Sequence, residues 1–182
     1  MDIKKELTTL HSRHLTLKIQ SWVGNDENRF KELMLLMLSD DKILSQRSSW
    51  AVSYCIEAHP SLAEKWLPQL LKRLQQPAHD AVIRNILRSL RIVRLPEALH
   101  SEIVERCFQF IQQKQQPPAI KAFAMHLLGS MCEIYPELRT ELKAIIETGM
   151  EVESPAFRSV ANQLLKQWRK KQSIRRIESV ID

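Results

Sequence analysis

Four arginines fall within the stretch "RNILRSLRIVR": Arg84, Arg88, Arg91 and Arg94. A guanidinium keeps its charge and offers a planar fork of donors that fits carboxylate and phosphate oxygens. On a helix turning roughly 100° per residue, the four share an arc of about 120°. Ile83, Ile86, Leu87, Leu90 and Val93 take a separate arc. The stripe therefore faces away from the core, where it can hold an acidic protein segment or a phosphate backbone.

Other residues with chemical potential carry less. His11 and His14 stand three apart, but no carboxylate or third histidine adjoins them to complete a metal site. They read as solvated. His79–Asp80 lies in a loop, where Asp80 is expected to cap the helix that follows. No HExxH, P-loop or GxSxG motif occurs, and Gly24, Gly129 and Gly149 are too dispersed for a phosphate loop. No catalytic residue, metal or cofactor is expected. A second basic stretch closes the chain. From Lys166 to Asp182 there are six cations (Lys166, Arg169, Lys170, Lys171, Arg175, Arg176) and two acids, +4 of the net +6.

The elements that must carry these residues follow from composition and periodicity. Hydrophobic residues make up 44% of 182, with three glycines and abundant Leu, Gln, Lys, Arg and Glu. This is a helix-forming composition, long enough for a well-cored domain. No apolar run approaches the roughly 20 residues of a membrane span. The N-terminus has no apolar signal region. Cys55, Cys107 and Cys132 are far apart and odd in number, and read as reduced core thiols of a cytoplasmic protein.

A repeat organises the chain. Arg47, Arg84, Lys121 and Arg158 are each 37 residues apart. At the same shift Ser49, Ile86, Phe123 and Val160 correspond, as do Ser53, Leu90, Leu127 and Leu164. These offsets trace one helical face. A first helix precedes each: Phe30, Leu33, Met34 and Met37 correspond to Leu67, Leu70, Leu71 and Leu74. Pro60, Pro96 and Pro136 mark the joints. Four helix pairs cover roughly 28–170, and one amphipathic helix over 2–23 caps the N-terminal end. The predicted organisation is a single domain over 1–172, with 173–182 as a basic tail or capping helix.

A cation opening the second helix, followed by small and apolar residues, resembles the HEAT repeat (armadillo-like) family. That family commonly has an aspartate six residues before the arginine. Asp41 and Arg47 fit, whereas Ala78, Gln115 and Val152 hold the place elsewhere, with Asp80 and Glu153 nearby. The resemblance implies an all-α, right-handed α-α superhelix whose second helices line a concave face. It also implies that Arg47, Arg84, Lys121 and Arg158 form a structural ladder, bonding acids or carbonyls in neighbouring turns. Arg88, Arg91 and Arg94 do not recur with the repeat. With Tyr54 and Met125 at corresponding groove offsets, they form the expected partner-binding set, and Glu57 is expected to pair with Arg91 or Arg94.

The reading is a non-catalytic interaction module or scaffold, a monomer or weak dimer, binding an acidic or amphipathic protein or peptide. Nucleic acid is the alternative partner, served by the stripe and by Arg169, Lys170, Lys171, Arg175 and Arg176. More distantly the chain resembles HEAT-like alkylpurine DNA glycosylases in helix pairing and basic groove. Their chemistry needs a concave-face acid beside tryptophans. Trp50 and Tyr54 come without one, and Glu57 is the only acid on that face, so the catalytic acid is not matched.

Overall fold

A computed structural model describes the backbone of residues 1–181 and the side chains of residues 1–171. Among the described residues it is all-α: α1 (Ile3–Thr9), α2 (Arg13–Val23), α3 (Glu27–Met37), α4 (Lys42–Ala58), α5 (Leu67–Gln75), α6 (Asp80–Leu90), α7 (His100–Gln112), α8 (Pro118–Ile134), α9 (Leu138–Gly149) and α10 (Pro155–Ile181). Short 3-10 segments at Pro60–Trp66 and Glu97–Leu99 lead into α5 and α7. The chain, read from sequence as one domain over 1–172, divides into two compact units, Met1–Arg106 and Cys107–Asp182. Residues 173–181 continue α10, and the side chains of Arg175 and Arg176 lie outside the described residues.

The first unit differs from expectation at its start. Residues 2–23 form two helices, not one. The Ser12 side chain accepts from Leu15 N at 3.1 Å and starts α2. Just before the break, the Thr8 and Thr9 hydroxyls bond back to the Lys4 and Lys5 carbonyls, a local alternative to continuing the helix. Leu10, between the two helices, is 51% exposed. The N-terminal "cap" is thus a further helix pair, the first of five.

Within this unit α4 packs against α1, α2, α3 and α6. Its buried face includes Ser45, Ser48, Ser49 and Ser53. Ser48, Ser49 and Ser53 donate to carbonyls of α4 itself, and Ser45 donates to Met37 O. Asn85 of α6 donates to the Ser49 hydroxyl at 2.9 Å. These groups are buried but satisfied, so they cost little. The first helices supply the larger apolar side chains: Phe30, Leu33, Met34 and Met37 from α3, and Leu67, Leu70, Leu71 and Leu74 from α5, all buried.

In the second unit α8 packs against α9 and α10. Gly129 of α8 and Gly149 of α9 mark close approaches. A Cβ on Gly149 would lie 2.7 and 2.8 Å from Cε1 and Cζ of Phe157. Gly149→Ala gains up to about 1 kcal/mol of helix propensity but forces an overpacking of about 1–3 kcal/mol, because the buried Phe157 ring has little freedom to retreat. The expected result is net destabilisation, read as a lower thermal midpoint. An unchanged or raised midpoint would mean that the ring yields.

Candidate partner-binding face

Tyr54 lies near the C-terminal end of α4, with Arg88 of α6 on one side. The Arg88 guanidinium carbon stands 4.8 Å from the Tyr54 ring centroid, within cation–π range. Arg88 also donates through Nη2 to the Glu57 carboxylate, one turn further along α4. Arg13, at the start of α2, approaches the Tyr54 hydroxyl from its own helix. Hydrogen bonding from Arg13 is the larger cause, with Arg88 after it, that holds the phenol below its usual pKa. Two arginines from different helices thus act on one phenol.

The aromatic surface extends along α4. Trp50 sits one turn before Tyr54, edge-on, with ring centroids 6.1 Å apart. His11 lies against Trp50 at 5.3 Å. Partial burial, and then the charge of Arg47, lower the His11 pKa. The neutral ring is thereby favoured, and it serves as an aromatic neighbour. Trp50 and Tyr54 are half-buried.

The expected stripe is only partly realised. Arg84 and Arg88 are on α6, but the helix ends at Leu90 and Arg91 is its C-cap. Arg94 lies beyond it, in the segment that leads to Pro96. Arg91 stays in the cluster. Partial burial and the neighbouring Arg88 charge lower its pKa, and Glu57 acts the other way. Glu57 pairs with Arg88. Met125, expected on the groove, is 0% exposed. Leu128 and Met131, at the other groove offsets of α8, are buried as well, because that helix is apolar on nearly every side.

The four 37-spaced cations do different work. Arg47 donates to the Leu7 and Thr8 carbonyls at 2.7 and 2.9 Å. Asp41 is not its partner, since that carboxylate caps α4 by accepting from Ile43 N and Leu44 N. Lys121 is buried and ion-paired with Glu153. The side chains of Arg84 and Arg158 make no hydrogen bond or ion pair among the described residues; six residues before them stand Ala78 and Val152, which offer no carboxylate. Asp80 does not cap α6, because the Nδ1 of His79 accepts from Ala81 N and takes that position. In the basic end, Arg169 and Lys170 are exposed, and Lys171 pairs with Glu133.

A model of the HEAT repeat domain matches residues 3–168. The chain belongs to the HEAT repeat family. Comparison with curated proteins and with solved structures found no match. HEAT repeats are a scaffold type of fold, generally non-enzymatic and commonly used for protein interactions. The match begins at Ile3, so it includes the α1–α2 pair that sequence reasoning took for a cap.

Three members of this HEAT face, His11, Arg13 and Trp50, were absent from the expected binding set. The signal for Arg13 was present: it stands 37 residues before Trp50, just as Ser12 stands 37 before Ser49. Elsewhere the buried thiols are inert. Burial pushes Cys55 up to about 12 and Cys132 to about 11. Among the described residues no helix is long and apolar enough to cross a membrane, and no group of three or more His, Cys, Asp or Glu could hold a metal.

The convergence on Tyr54 is directly measurable. In a Tyr135→Phe background Tyr54 is the only tyrosine. Its ultraviolet titration is expected to have a midpoint below the usual phenol value. Arg13→Gln should raise that midpoint more than Arg88→Gln does. An ordinary midpoint in the parent would mean that neither guanidinium reaches the oxygen.

Proposed function

We propose that this protein is a non-catalytic interaction module whose α2–α4–α6 face binds an acidic segment of a partner protein. The observation that carries the reading is the pair Arg13 and Arg88 at Tyr54, with Trp50 beside the ring and Arg91 near Arg88 and Glu57. Arg13 and Arg88 bring positive charge to the half-buried Tyr54, and Glu57 is the carboxylate paired with Arg88. Aromatic and arginine side chains are the residue types that anchor protein interfaces. The groove residues in this proposal are Arg88, Arg91 and Tyr54, joined by Arg13 and Trp50. Arg94 lies outside the helix, and Met125 is withdrawn.

A protein partner is favoured over nucleic acid by the size of the charged patch. Phosphate-backbone binding recruits many cations and weakens steeply as salt rises. The test is fluorescence anisotropy of a labelled Glu–Leu repeat peptide and of a single-stranded oligonucleotide, each across a salt series. The proposal expects the peptide to bind more tightly at 0.15 M salt. Tighter binding of the oligonucleotide, with a steep salt slope, would replace it with the nucleic-acid reading.

A further inference from the structure

We infer that Glu57 occupies on Arg88 the place of the partner's own anchoring carboxylate, so that binding exchanges one carboxylate for another. This rests on the binding role proposed for the α2–α4–α6 face. The anchor is a glutamate or aspartate side chain next to an apolar residue: the carboxylate meets Arg88, and the apolar group seats on Trp50 and Tyr54.

The geometry leaves Arg88 few other ways to take an anion. One face of its guanidinium lies on the Tyr54 ring. Its Nη2 is given to Glu57. The side chain is 29% exposed, and that of Glu57 is 54% exposed. The more accessible member of the pair is therefore the carboxylate. An ion pair this open contributes little to stability and opens readily. The arginine, by contrast, is held from behind by the tyrosine and keeps its place when Glu57 leaves. Arg91 is affected by both Arg88 and Glu57, so an incoming carboxylate in Glu57's position sits near two guanidiniums.

The prediction separates exchange from plain repulsion. Glu57→Gln is expected to tighten binding of the Glu–Leu peptide by about threefold to fivefold. In an Arg88→Gln background the same substitution should change affinity by less than about 1.5-fold, because there is no longer an arginine to release. Equal tightening in both backgrounds would identify Glu57 as a generic repelling charge and overturn the exchange. A second readout needs no variant. The Glu57 carboxyl carbon resonance of the full chain should move towards its free-solution value as peptide saturates the protein. If the peptide binds and that resonance stays still, the exchange is wrong while the binding role stands. If the peptide does not bind at all, both fall together.

Discussion

Arg88→Glu combined with Arg91→Glu is expected to weaken binding of the acidic peptide by about a hundredfold while the protein stays folded. Each reversal removes an attraction and adds a repulsion. For charges this exposed, the combined loss is about 3 kcal/mol, which is two decades in affinity. The fold should tolerate the change. Arg91 is exposed at the end of α6, and Arg88 contributes an open ion pair and one cation–π contact. Their joint contribution to stability is about 1–2 kcal/mol, and the helical circular dichroism should be retained. Net charge needs a control. Lys31→Glu with Lys72→Glu makes the same change on exposed positions of α3 and α5 and should alter affinity by less than about threefold. Equal losses in the two variants would mean that the peptide senses only the overall field. No loss in either would remove α6 from the interface.

The largest effect on stability is expected from Glu153→Gln. Lys121 is 1% exposed, and its ammonium donates to Glu153. Removing the acid leaves a buried cation with no counter-charge, a loss of about 3–5 kcal/mol for a fully buried pair. Because Glu153 is partly open to solvent, about 2–3 kcal/mol is the better figure. For a chain of this size that lowers the thermal midpoint by about 5–10 °C. Lys121→Met should be much milder, since it removes the charge and keeps a flexible apolar side chain of similar reach. In the double variant most of the Glu153→Gln penalty should disappear. If Glu153→Gln alone leaves the midpoint unchanged, Lys121 reaches water by another route and the pair is not structural.

The core was readable because burial on one face repeats with the helix. Ile86, Leu87 and Leu90 on α6, and Leu127 and Leu164 at the 37-residue shift, were expected inside and are buried. The same logic failed where a second face is covered. Met125 occupies the offset that Arg88 holds on α6, but what lies over that face of α8 is decided by tertiary packing, not by period. Local chemistry overrode the pattern at two further places. Ser12 split an amphipathic run by capping, and His79 took the cap expected of Asp80. The proposed binding face was half legible. Tyr54, Arg88 and Arg91 stood out because the repeat did not require them. Arg13 and His11 are distant in sequence, and only the packing of α2 against α4 brings them to Trp50 and Tyr54.

The serines of α4 bear on this in a way that hydropathy conceals. By polarity that helix passes for a solvent-facing one; by volume it is slender, with Ser45, Ser48, Ser49, Ala51 and Ser53 inside. The separation of packed helices follows the bulk of the side chains between them. A thin α4 lets α2 and α6 pack closely against it, and Arg13 from one and Arg88 from the other both act on Tyr54. The reach of the charges is thus set by the calibre of residues that no ligand ever meets.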